Sequence, residues 1–191
     1  MSLADKLKKE IGEGPLTPTW KLRPEVLCGA NIPKPMHGMA PRVVLGDTWW
    51  DKERRAAYHS TNQHCIACGV HRDKAPTSIR GKHWLEGHEI YDIDYLMGRM
   101  VYVETVPLCH YCHNYIHDGR LKMLLDSGKL SQSKYAKIIQ HGDRILSVNQ
   151  LEKKRYSGET ADWSDWRLII GNDQYPPLYM TYEAWAEVHR R

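Results

Sequence analysis

Two Cys-x-x-Cys pairs, Cys65/Cys68 and Cys109/Cys112, constrain this chain more than any other feature. Four thiolates in two such knuckles can enclose a tetrahedral zinc, a closed site that needs no water or substrate. The segment between Cys68 and Cys109 is long enough for a hairpin to fold back and bring the knuckles together. The metal would then hold strands too short to stabilise themselves, and its binding energy would be folding energy. The fifth cysteine, Cys28, lies in a loop-like stretch without a partner and reads as a simple thiol. Cysteines paired for metal rather than for disulfides point to a reducing compartment, so an intracellular, cytoplasmic protein is expected. No apolar stretch approaches a membrane span, and Met1 to Leu7 lacks the hydrophobic region of a signal peptide.

The second knuckle continues as Cys109-His-Tyr-Cys112-His113-Asn-Tyr-Ile-His117. His113 and His117 stand at i and i+4, one above the other on a helix that begins at the knuckle. His88 lies on a candidate strand between the two knuckles. A strand histidine facing a helical pair can hold a divalent ion with open coordination positions, which would clamp a phosphodiester and stabilise its leaving oxygen. A general base must also activate water, and His88 or Glu89 is placed to do so. One metal for structure and a second for chemistry is therefore expected.

At 191 residues the chain can bury one core, or one core with a small metal-stapled module. Hydrophobic content of 41% with 26% charged residues excludes wholesale disorder. The net charge of +4 favours a polyanionic partner only weakly, and runs such as Lys6 to Glu10 and Lys153 to Arg155 read singly as solvated faces. There is no Phe; Trp and Tyr supply every aromatic, and their polar edges suit a partly wet binding surface.

Three regions are expected: a helix, Pro-rich arm and lead-in helix over 1–59, the zinc finger core over 60–125, and a helical and Trp-rich flank over 126–191. Residues 3 to 11 have apolar positions at helical spacing. Six prolines between Gly12 and Pro41 exclude long regular elements there. Asp47 can cap a helix beginning near Trp49. Strands are expected over 83–90 and 100–106, the second with alternating β-branched residues, and Gly98 lies in the turn between them. Helical pattern returns over 112–125, with Gly119 a candidate break, again over 131–145 behind a Ser cap, and over 181–191.

In this order the residues resemble the HNH endonuclease family, whose core is a ββα-metal finger. Its zinc-knuckle branch carries Cys-x-x-Cys, a strand bearing His-His-Ile or Asp-His-Ile, then Asn, then Cys-x-x-Cys-His-x-x-x-His. Here Cys65-Ile-Ala-Cys68, Leu85-Glu-Gly-His88-Glu89-Ile90 and Val106-Pro-Leu-Cys109-His-Tyr-Cys112-His113-Asn-Tyr-Ile-His117 follow that order, over roughly residues 60 to 122. The flanks around Trp49-Trp50-Asp51 look like those of phage or bacterial members. The resemblance implies an α+β fold built on a zinc-stapled finger and a metal-dependent endonuclease that hydrolyses phosphodiester bonds of double-stranded DNA.

It implies a structural Zn²⁺ on the four cysteines, Mg²⁺ or another divalent ion on His88, His113 and His117, and phosphate contacts from Arg120 and Lys122. Aligned on Leu85-Glu86 and Ile90, His88 takes the ligand position and Glu89 that of the base. Aligned on Asp-His, His88 becomes the base and Gly87 occupies the ligand position. The middle Asn falls at Glu104, and Asn114 is in the wrong place to substitute. A catalytically degenerate zinc module that binds nucleic acid or protein is the rival, since it needs the cysteines but not the histidines. A zinc hydrolase acting on another substrate ranks last, because the flanks hold no cofactor-binding Gly-rich loop.

Overall fold

A hairpin that ends on the first cysteine of the second knuckle organises the molecule. The computed structural model describes residues 20–77, 83–153 and 155–189. The helix expected over 3–11 lies outside the described residues. Strand β1 (Leu85–Asp94) pairs antiparallel with β2 (Arg99–Cys109), in a register that sets Leu85 opposite Cys109 and His88 opposite Val106. The register slips by a bulge between Ile90 and Tyr91. At the tip Asp94 Oδ1 accepts from the amides of Leu96 and Met97 at 3.1 and 3.0 Å. Gly98 follows with φ of +64°, in the left-handed region that favours glycine, and a Cβ there would stand 2.9 Å from that of Ala161.

The C-terminal flank is not only helical and Trp-rich. Strand β3 (Arg167–Ile170) adds to β2 in parallel and β4 (Asp173–Tyr175) returns antiparallel, giving a four-stranded sheet in the order β1-β2-β3-β4. These strands are too short to declare themselves by alternation; they form because Leu168 and Trp166 are buried with Met36 and Met100 in a small core at the distal end of the hairpin.

Helix α1 (Pro41–Ser60) begins earlier than the expected start near Trp49, with Pro41 in its first turn. Gly46, at φ 82° and ψ 174°, breaks it, so Asp47 opens the regular part. Helix α2 (His110–Ile116) starts directly after β2, with Cys109 as its N-cap and Cys109 Sγ accepting from the Cys112 amide at 3.5 Å. The break expected at Gly119 falls at His117 (φ −86°, ψ 50°), from which α3 (Asp118–Asp126) sets out. Helix α4 (Gln132–Val148) has the expected Ser131 cap, which accepts from the Lys134 amide at 3.3 Å. Its buried residues Ile138, Gly142 and Leu146 recur at i+4. Gly142 lies against the Tyr115 ring, where no Cβ fits, so α4 packs closely on α2. Helix α5 (Tyr182–His189) closes the described chain.

The larger core joins both knuckles to the rest: Leu27 from the Pro-rich arm, Leu85, Val106 and Leu108 from the hairpin, Ile116 from α2, Leu121 from α3 and Ile138 from α4. The chain is thus mixed α+β, and among the described residues no helix is long and apolar enough to cross a membrane.

Two candidate metal centres and an arginine-lined cleft

The first knuckle is a tight turn. Gly69 (φ +75°) donates from its amide to the Cys65 carbonyl at 2.8 Å, and the Cys65 amide donates to the Val70 carbonyl at 2.9 Å. The Ile66 amide donates to the Pro107 carbonyl at 2.9 Å, which docks this turn against the end of β2. Backbone hydrogen bonds thereby bring Cys65 and Cys68 to Cys109 and Cys112, and the four sulfurs lie within 4.8 Å of one another. Cys65, Cys109 and Cys112 are fully buried. Cys68 Sγ stands 3.8 Å from Cys109 Sγ, while two sulfurs of a tetrahedral zinc with Zn–S bonds of about 2.3 Å lie roughly 3.8 Å apart. Hydrogen bonds from Cys109 and Cys112 pull the Cys68 thiol far below its ordinary value, and the hydrogen bond with Cys109 helps push Cys112 well above it. Four thiols so close cannot all ionise against one another; a divalent ion removes that conflict. Four sulfur donors within 4.8 Å of one another, three of them fully buried, fit zinc.

His141 of α4, which sequence reasoning passed over, places Nε2 3.3 Å from Cys112 Sγ. In the tautomer with its proton on Nε2 it adds an N–H donor to that sulfur. Its separation of twenty-nine residues from Cys112 gave no local signal.

On the other side of the hairpin's base, His88 from β1 meets His113 and His117 from the two ends of α2's last turn. One ring nitrogen from each lies within 4.8 Å of the others, and the rings meet edge to face with centroids 4.7 to 5.4 Å apart. His88 Nδ1 and His113 Nδ1 are buried without an aligned hydrogen-bond partner. Burial, and then the neighbouring histidines, hold His88 well below the usual histidine range; burial and His113 hold His117 down at about 3. Both imidazoles are therefore neutral at pH 7 and have a lone pair to give. Convergent, with His88 buried and both His88 and His117 neutral, the trio fits a divalent ion, and imidazole donors suit Zn²⁺, Ni²⁺ or Fe²⁺ better than Mg²⁺.

Glu86 is the second residue that sequence reasoning missed. Its Oε1 lies 2.7 Å from His110 Nδ1 and its Oε2 2.6 Å from His113 Nδ1, the latter a close ionic contact outside hydrogen-bond alignment. Burial opposes its charge, but the hydrogen bond with His110 and the close contact with His113 outweigh that and carry its carboxyl well below the ordinary range. A carboxylate against one nitrogen of a histidine leaves the other nitrogen for a metal and fixes the ring. The clue was available: Glu86 and His88 are two apart on a strand and so share a face.

Beside the trio opens a cleft of about 870 Å³, lined by Arg42, Arg54, Arg55, Arg72 and Arg120 together with Glu86, Glu89, His113 and His117. Trp50, Tyr58 and Trp84 form the aromatic part of its wall. Arg120 therefore stands at the cleft, whereas Lys122 is outside it and pairs with Asp126 at 3.5 Å. Glu89 is buried, and its Oε1 accepts from Arg42 Nη1 at 2.7 Å. Gly87 lies under Trp50, so a side chain at that position would run towards α1. Glu104 sits outside the cleft, bound to Arg23 at 2.6 Å, and Asn114 is spent inside α2, donating to the His110 carbonyl at 2.8 Å.

No protein family, no curated protein and no solved structure matches this chain, so what it does must be argued from the cysteine cluster, the histidine trio and the cleft.

Proposed function

We propose that this protein is a metal-dependent endonuclease of the HNH kind, hydrolysing phosphodiester bonds of nucleic acid, with double-stranded DNA as substrate. One observation carries the reading: three convergent histidines, with His88 Nδ1 buried and unpartnered and His113 Nδ1 held against Glu86, stand at a cleft lined by five arginines. The order hairpin, sulfur-capped helix, helical histidines supports taking β1, β2 and α2 as a ββα-metal finger stapled by zinc. Reduced thiolate ligands suit a cytoplasmic setting.

His88, His113 and His117 would hold the divalent ion, which when bound supplies charge stabilisation at the phosphate and acidifies water. Glu86 keeps the His113 ring turned for that task. The arginines bind the backbone: each guanidinium offers a planar fork of donors that matches two phosphate oxygens, and none reads sequence by such contacts. Trp50 and Trp84 give the wall an apolar part, beside which charge interactions are stronger than in open water.

Nicking of supercoiled plasmid in the presence of Mn²⁺, Ni²⁺ or Mg²⁺ tests the reading. Wild type is expected to cut, and His113→Ala to lose cutting while keeping its zinc. A wild type that cuts with none of these ions overturns it. The pairing of Glu104 with Arg23, where the family has Asn, favours the second reading, a zinc module that binds nucleic acid without cutting it. That module would retain DNA binding in the His113→Ala protein.

A further inference from the structure

The cleft contains one ion pair unlike its neighbours. Arg54 and Arg55 pair with Asp51, and Arg72 with Asp73, through carboxylates at least 47% exposed. In the Arg42–Glu89 pair the carboxylate is 8% exposed and the guanidinium 47%. A buried carboxylate facing a half-open guanidinium is an anchor: the acid is fixed by the sheet, and the base projects from it. Glu89 is the strand neighbour of His88, so their side chains leave β1 on opposite faces, His88 towards the trio and Glu89 towards the first turn of α1.

Arg42 is held a second time by Trp50, with its guanidinium carbon 5.4 Å from the ring centroid. A guanidinium has five N–H donors, so one spent on Glu89 leaves others free for a ligand in the cleft. Arg42 lines the same cleft as His113 and His117, which sets it beside the trio. Gly87 completes the arrangement, because only a residue without Cβ lets Trp50 lie this close to β1.

We propose that Arg42 is a catalytic residue that donates to a non-bridging oxygen of the substrate phosphodiester, and that Glu89 is the positioning residue that aims it. This rests on the phosphodiester reading above and takes Glu89 out of the base position that the sequence alignment offers. The Glu89 carboxylate works as an acceptor for Arg42, a task that an amide oxygen can also perform. Removing it entirely releases Arg42 to swing over Trp50 and into solvent.

The test separates binding from cutting. Binding of a short labelled DNA duplex is measured by fluorescence anisotropy without added divalent ion, over a series of salt concentrations, for Arg42→Ala, Glu89→Ala, Glu89→Gln and the Arg42→Ala/Glu89→Ala double variant. Arg42→Ala is expected to weaken binding about tenfold, the effect of losing one charge-assisted hydrogen bond, and to make the salt slope shallower by about 0.9. Glu89→Ala should weaken binding similarly although it removes a negative charge, Glu89→Gln should restore most of that loss, and the double variant should be no worse than Arg42→Ala.

Tighter binding by Glu89→Ala means that the carboxylate merely repels phosphate, and overturns the inference. So does unchanged binding by Arg42→Ala. Cutting gives the second arm: a loss in kcat of about a hundredfold in Glu89→Gln with binding intact makes Glu89 the base after all. If no variant and no wild type cuts while the binding pattern holds, hydrolysis fails as the function and the phosphate contact stands.

Discussion

Gly87→Ala tests how tightly the cleft wall is built. A Cβ at position 87 would stand 2.9 Å from Trp50 Cη2, 3.1 Å from Trp50 Cζ2 and 3.2 Å from Arg54 Cβ. Carbon atoms in ordinary contact lie about 3.5–4.0 Å apart, so the Trp50 ring must retreat by roughly 1 Å. Overpacking of this kind costs about 1–3 kcal/mol, while replacing a strand glycine returns about 0.5–1 kcal/mol in backbone entropy. The net is a destabilisation of about 1 kcal/mol, which for a chain of this size lowers Tm by about 2–4 °C. The effect on cutting should be larger than stability explains. Arg42 rests on the Trp50 face, and misplacement by about 1 Å near a reacting centre can cost on the order of a hundredfold in rate. Thermal melts and plasmid nicking on the same preparation give both numbers, and Gly87→Ala/Trp50→Leu should recover the melting temperature but not the rate. A Gly87→Ala protein that melts higher than wild type and cuts at full rate would refute the reasoning, because Trp50 would then have slack.

The remaining expectations concern the two centres. Elemental analysis of protein purified under reducing conditions should find about one zinc per chain, and Cys109→Ser or Cys112→Ser should lose that zinc together with solubility and cooperative melting. His113→Ala should keep zinc and fold, since its ring lies outside the sulfur cluster, but lose at least about a hundredfold in cutting; loss of zinc in that variant removes the distinction between the two centres. His88 and His117 are neutral in the fold, His117 with its value near 3, whereas the unfolded chain takes up protons below about 6.5. Their contribution is therefore complete above about pH 6.5 and lost as pH falls, for His117 towards 3, and His117→Gln should flatten that slope in urea titrations by up to one proton. Three imidazole donors should give faster cutting with Mn²⁺ or Ni²⁺ than with Mg²⁺ in a metal-rate series, and a clear Mg²⁺ preference would argue for oxygen ligands not yet identified.

What could be read ahead of the structure follows a physical boundary. The knuckles, the start of α2 and the spacing of His113 and His117 were legible, because each is a matter of a few residues along one chain segment. The hairpin was legible because β2 alternates β-branched residues over its length. Arg42 and His141 were not, since each acts through a partner far along the chain and a lone charged residue carries no periodicity, while Glu86 offered only its shared strand face with His88. Strands β3 and β4 escaped for a related reason: four and three residues are too few to show a pattern, and β3 is held by β2 far along the chain while β4 pairs with β3. The Gly119 break was a misreading of propensity. Position 119 is open and demands no glycine, while His117 leaves the helical path one residue before α3 begins.

Cys109 is at once the last residue of β2, the N-cap of α2 and a member of the sulfur cluster. This fixes the angular phase of everything downstream, as the first thread of a screw fixes the azimuth of its slot. An α-helix advances by about 100° per residue, so one residue inserted between Cys112 and His113 would leave all four sulfurs in place and turn both histidines away from His88. Away from its sulfur ligand, its histidines and its core-facing residues, α2 can be substituted singly, but its length cannot change, and an insertion there should yield a protein that keeps the four-sulfur zinc while its second centre no longer assembles.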